Sequence, residues 1–136
     1  MDNIQTNTRQ GIVRLPSADL SGKNGLLAKL TSTGLDLPAA ITDDTPYVVV
    51  DGGATESSVK PLNRGEQVRV FVKGTCAMGD LLCAADPSTA VDKGKLRKLP
   101  TTAGTYAVLA VAEEAGVDGQ AVLVRAYNKS VTVASS

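Results

Sequence analysis

The sequence predicts an all-β protein, a small β-barrel or a two-sheet β-sandwich over residues 25–136 behind an extended N-terminal arm at 1–24. Three observations carry that expectation. Gln67 to Lys73 alternates, with Val68, Val70 and Val72 on one face and Gln67, Arg69, Phe71 and Lys73 on the other, which is the period of a half-buried strand. Short apolar runs alternate with Gly-, Asp- and Ser-rich turns along most of the chain. With no Trp, one Phe and three Tyr in 136 residues, Val, Leu and Ala must fill the interior, and β-branched side chains suit a pleated surface.

Taken in order, Met1 to Asn24 is polar, with one apolar patch at Ile12, Val13 and Leu15 ahead of Pro16. It reads as an arm outside the core. Gly25 to Leu30 is apolar enough for a strand. Thr31 to Gly34 turns, and Leu35-Asp36-Leu37 returns, as in a hairpin. Tyr47 to Val50 is a β-branched run closed by Asp51-Gly52-Gly53. Ser57 to Lys60 reads as an exposed loop. Asp80 to Ala84 is a short strand, Asp86 to Gly94 turns, and Lys95 to Leu99 returns toward Pro100. Val108 to Ala115 has some helical propensity. It is short, however, begins with alternating Tyr, Val and Leu, and is read as a strand ending in a turn at Glu113 to Gly116. Gln120 to Tyr127 closes the series.

The order of parts recurs. Each half has a Leu-Leu strand, a turn, a return strand ending near Pro38 or Pro100, a strand opening at Tyr47 or Tyr106, and a final strand opening at Gln67 or Gln120. A period near fifty residues points to a duplicated four-strand unit, with halves at 25–74 and 80–128. A barrel or a sandwich built that way limits exposed strand edges.

Charge and residue types narrow the function. Fourteen basic and fourteen acidic residues cancel, so the net positive signal of a nucleic-acid binder is missing. The basic residues Lys93, Lys95, Arg97, Lys98, Arg125 and Lys129 are expected on a mixed-charge, solvated surface. No apolar leader follows the polar first ten residues, and no run approaches the ~20 residues that span a bilayer. The reading is therefore of synthesis in the cytoplasm, with Cys76 and Cys83 as reduced thiols. The chain has no His, which removes the commonest general base and metal ligand. No catalytic residue, metal site or cofactor is expected. Ser57-Ser58-Val59-Lys60 matches S-x-x-K but lacks that motif's companions. Asp43, Asp44 and Asp51 do not follow the spacing of a calcium loop. Glu113 and Glu114 are simplest as edge charges.

Two stretches carry a resemblance. One is Gly65-Glu66-Gln67-Val68-Arg69-Val70-Phe71-Val72-Lys73-Gly74, followed by Ala77-Met78-Gly79-Asp80-Leu81-Leu82. The other runs from Thr102 through Tyr106-Ala107-Val108-Leu109-Ala110-Val111-Ala112 to Ala115 and ends on Asp118 to Arg125. Over roughly Gly25 to Tyr127 this series resembles the small cement, or head decoration, proteins of tailed-phage capsids. The resemblance implies a structural virion protein on the outer surface of an icosahedral head, bridging neighbouring major-capsid subunits. It also implies self-association, a homotrimer first and a dimer second. Within it, Ile12, Val13 and Leu15 would form a strap reaching a neighbouring subunit, and removal of residues 2–20 would leave the β-domain folded. The competing readings are a phage tail or baseplate module and a small-ligand or carbohydrate-binding module. The scarcity of aromatic platforms argues against the second of these.

Overall fold

A computed structural model describes the backbone of residues 12–14, 16, 18–40, 43 and 45–133, and the side chains of these residues except 12–14 and 128–133. The chain is all-β. The described residues form ten strands: β1 Ile12–Arg14, β2 Leu27–Thr31, β3 Gly34–Asp36, β4 Tyr47–Asp51, β5 Ser57–Pro61, β6 Gln67–Lys73, β7 Leu81–Ala84, β8 Leu96–Lys98, β9 Gly104–Ala112 and β10 Ala121–Val133. A 3-10 turn at Ala90–Asp92 sits between β7 and β8.

The strands form a five-stranded sheet in the order β1-β5-β4-β2-β3 and a closed barrel in the order β10-β6-β8-β7-β9. The expected repeat placed the strand at Gln67 opposite the strand at Gln120; in the structure β5, read from sequence as a loop, takes that place in the order β3-β2-β4-β5 beside β8-β7-β9-β10, and each unit has a fifth strand. In the barrel, β6 runs antiparallel to β10 and parallel to β8. In the sheet, β1 runs antiparallel to β5, and the next residues reach β3 through a parallel bridge from Pro16 to Leu35. The repeat in strand order is therefore β1 to β5 followed by β6 to β10. β6, which falls inside the expected first half at 25–74, serves the second unit.

Alternation assigns the cores. β6 follows its sequence pattern, with Val70 and Val72 buried and Gln67, Arg69 and Lys73 exposed. The barrel core joins them to Leu82, Leu96, Ala110, Ala112, Val122 and Val124, and it takes in Leu27 and Val48 from the sheet. Those two residues are register partners on β2 and β4. Their neighbours Ala28 and Val49 face the other way, into a second core with Leu20, Leu35 and Val59. β2 and β4 thus form a wall shared by both cores.

Two expectations are corrected. Residues 1–24 do not all stand outside the core, because Leu20 is buried in the second cluster and its N–H bonds Gly53 O at 3.0 Å. Removing residues 2–20 would therefore take a core side chain with it. Ser57 to Lys60 is not a loop but most of β5. Its Ser57 and Val59 point inward, and a buried small hydroxyl is tolerated there because Ser57 Oγ exchanges hydrogen bonds with the Gly53 backbone at 3.1 and 3.4 Å.

Backbone contacts fasten sheet to barrel. Gly25 N–H donates to Val49 O at 2.8 Å, Gly25 O accepts from Phe71 N–H at 3.0 Å, and Leu27 N–H donates to Gly94 O at 2.7 Å. Gly25 has φ +83°, and a Cβ there would lie 2.8 Å from the Phe71 ring. Gly65 has a similar φ of +90° with nothing within 4 Å of an added Cβ. Gly65→Ala is expected to cost about 1 kcal/mol through the dihedral alone. Gly25→Ala should cost about 2–4 kcal/mol, because the ring clash adds to it. Urea unfolding of both variants checks this, and equal losses would mean that the seam tolerates the extra methyl.

Candidate functional site

The polar fragments singled out by sequence are brought into structural pairs rather than into a reactive cluster. Ser57 and Lys60 lie on opposite faces of β5. Lys60 Nζ donates to Gln67 O at 2.9 Å and stands 3.8 Å from Glu66, well apart in role from the buried Ser57 hydroxyl. Asp43 Oδ2 accepts hydrogen bonds from Ala39 N–H, Ala40 N–H and Lys29 Nζ at 2.7, 3.0 and 2.9 Å. These donors, the Ala39 amide foremost, hold its carboxyl below the usual range. Asp51 lies on β4 and Asp44 lies outside the described residues. No group of three His, Cys, Asp or Glu that could hold a metal occurs among the described residues. Cys76 and Cys83 are free and buried, and burial pushes both thiols up from their ordinary value.

Glu113 and Glu114 act as electrostatic pins across the barrel. Glu113 accepts from Arg125 Nε of β10 at 2.8 Å, and Glu114 accepts from Arg69 of β6 at 2.7 Å and from Leu123 N–H at 3.1 Å. The candidate basic patch is likewise divided among acids. Lys95 and Lys73 flank the buried Asp92 at 3.9 and 3.7 Å, and Lys98 stands 3.8 Å from Asp80.

What remains available is strand edge. Ile12 and Val13, two of the three strap residues, lie on β1 in register with Val59 and Ser58 of β5. Leu15 lies outside the described residues. Beyond Arg14 the unit is closed at Pro16, which has no N–H to give to a ladder. The equivalent place in the barrel is occupied by Val72 and Lys73, both paired with β8.

The second edge was not foreseen from sequence. β10 does not stop at Tyr127 but runs on to Val133, and β9 begins at Gly104. Among the described pairings, Gly104 to Ala107 meets Val133 to Ser130 beyond the stretches covered by β6, Ala121 to Arg125, and by β7, Val108 to Val111. The pair therefore outruns its barrel neighbours as a two-stranded ribbon. On it Thr105 and Ala107 are exposed, and Tyr106 is fixed by its hydroxyl donating to Thr102 O at 3.0 Å. At the ribbon's root a register shift falls between Ala126 and Lys129, and Arg64 packs over the Tyr127 ring at 5.6 Å. The β-branched run Val131-Thr132-Val133 was the available signal.

A two-stranded ribbon is marginal by itself, and an unpaired edge is a template for another strand. Chemically, the site offers backbone donors and acceptors, with little charge. Compared with known proteins, the chain matches no family model, no curated protein and no solved structure.

The Glu114 pin has a pH signature. The Leu123 amide, then Arg69, keeps its carboxyl below the ordinary value of 4.5. Its stabilisation is present above the unfolded value and is lost as pH falls through the lower folded one. Glu114→Gln should thus lower the urea midpoint near neutral pH and shrink the difference between neutral pH and about pH 3. Urea titrations at both pH values test this. An undiminished difference in the variant would remove Glu114 from the acid response.

Proposed function

We propose that the chain is a structural virion protein that binds the outer surface of an icosahedral tailed-phage head and stiffens it by bridging major-capsid subunits. The observation that supports this best is the β9–β10 ribbon together with the short β1 edge. The ribbon outruns its barrel neighbours among the described residues, and β1 stands at the end of its sheet's strand order. The sequence resemblance to head decoration proteins points the same way. Strand addition suits a partner whose own strand edges are presented repeatedly by a lattice.

In this reading the major-capsid protein is the partner, and the chain associates with itself as a homotrimer. Ile12, Val13 and Leu15 mark where the capsid strand approaches, with β1 as the intermediary between it and β5. A ligand that binds only the assembled, expanded shell stabilises that state by mass action. Many copies then multiply a modest energy per site.

The test is co-sedimentation of the purified chain with tailed-phage heads that lack their decoration protein. Saturable binding to expanded heads, with little to unexpanded ones, is the expected result. The double variant Ile12→Asp/Val13→Asp should bind at least tenfold more weakly with its circular dichroism unchanged, since a well-placed apolar contact is worth about 1.4 kcal/mol or more. Absence of binding to either form of head by folded protein would overturn the proposal.

A further inference from the structure

We infer that Asn24–Gly25 is a self-modification site that the fold holds unreactive. Opening the seam between sheet and barrel lets the pair cyclise and lose ammonia, and one product no longer fits the closed seam. The inference does not rest on the capsid reading, and its test needs no capsid.

The sequence sets the chemistry. Asn24 is followed by glycine, whereas Asn3, Asn7, Asn63 and Asn128 are followed by Ile, Thr, Arg and Lys. Asparagine is thermolabile, and a following residue without Cβ lets its amide nitrogen approach the side-chain carbonyl carbon most closely. The Gly25 nitrogen attacks Asn24 Cγ and gives up its proton. The new C–N bond closes a five-membered succinimide, the Cγ–Nδ2 bond breaks, and the departing NH2 takes the proton and leaves as ammonia. Water then opens the ring on one of two sides. Cleavage at Cγ gives aspartate with an ordinary main chain. Cleavage at the main-chain carbonyl carbon gives isoaspartate, whose main chain runs through Cβ and Cγ and is longer by one carbon, about 1.5 Å.

In the fold both reacting groups are tied. Gly25 N–H donates to Val49 O at 2.8 Å, and Asn24 Oδ1 accepts from Gly52 N–H at 2.7 Å. The turns on either side are closed as well, with Lys23 N–H on Leu20 O at 3.0 Å and Leu26 N–H on Lys23 O at 3.3 Å. Ring closure has to break the Gly25 bond, so the folded protein reacts only through its open fraction.

The barrel contains the same corner with an acid in place of the amide. Asp118 Oδ1 accepts from Gly74 N–H at 2.8 Å, and Gly119 N–H donates to Val72 O at 2.9 Å. Gly25 and Gly119 share the left-handed backbone, with φ of +83° and +81°. Each pair grips the end of a neighbouring strand, from Val49 to Gly52 at β4 and from Val72 to Gly74 at β6. The extra residue in the first is Val50, where β4 shifts register against β5. The corner is thus a recurring part of the fold, and Asn24 is the copy with an amide to lose.

The two products differ in consequence. Aspartate keeps a side-chain oxygen for Gly52 N–H. Isoaspartate displaces Gly25, whose N–H and carbonyl serve Val49 and Phe71 and which packs so closely that an added Cβ would lie 2.8 Å from the Phe71 ring. A close-packed junction has no slack for an inserted carbon. A seam that stays open long enough to react is therefore kept from closing again.

For the experiment, the full-length protein is aged at one pH and temperature, in buffer and in guanidinium chloride. Peptide mapping by mass spectrometry follows asparagine, aspartate and isoaspartate at position 24. In denaturant Asn24 should convert well ahead of Asn63 and Asn128, and in the folded protein at least about tenfold more slowly. After the denaturant is removed, size-exclusion chromatography separates refolded from unfolded chains. Isoaspartate at position 24 should be confined to the unfolded fraction and aspartate to the refolded one. Asn24→Asp, made directly, should fold with a urea midpoint close to the parent's. Equal conversion with and without denaturant overturns the proposal, as does isoaspartate at its full share in the refolded fraction. An Asn24→Asp chain that cannot fold would trace the damage to charge instead of main-chain length, and would overturn it as well.

Discussion

The arrangement of this protein depends on how closely two backbones meet at Gly25. Its N–H reaches Val49 of the sheet and its carbonyl reaches Phe71 of the barrel, so one residue completes hydrogen bonding on both sides of the seam. Buried peptide groups without partners are costly, and the short approach satisfies them without water. The same approach sets the position of β2, and β2 with β4 is the wall from which Leu27 and Val48 enter one core while Ala28 and Val49 enter the other. A side chain at Gly25 would separate the layers and open both cores together. That coupling explains why two units of like strand order behave as one body.

The two units resemble each other in strand order yet differ in closure. The second is closed by β6, which lies between β10 and β8, and the first by β1 with a bridge from Pro16 to Leu35. In β6, Val70 and Val72 are removed from water, worth roughly 1.5–3 kcal/mol each.

Much of the fold was legible in the sequence, since periodicity reports which face of a strand is buried. The β6 alternation and the β2–β3 hairpin could be read from Val, Leu and turn residues, whereas the repeat was read with β6 in the place that β5 holds. Three features could not. Leu20 sits among Ser, Asp and Gly, so no local pattern announces that it fills a cavity made by residues from other strands. Ser57 and Lys60 looked like loop because a serine facing a core needs a partner, and the Gly53 backbone that supplies one is brought close only by folding. The closing roles of β1 and β6 are a matter of which strands pair at long range, and alternation carries no information about that. The candidate site was legible only in part. Ile12 and Val13 stood out as the apolar patch of a polar segment, whereas the ribbon depends on β9 and β10 outrunning their neighbours, a difference in strand lengths visible only once the barrel is closed.

The ribbon also gives the molecule a mechanical grain. Tension entering near Val133 runs along the axis of β10, which pairs with β9 from Val133 back to Val124 and with β6 over Ala121 to Arg125. Such a load shears both ladders, so many hydrogen bonds must yield together, and the Arg125–Glu113 and Arg69–Glu114 pins lie across the sliding planes.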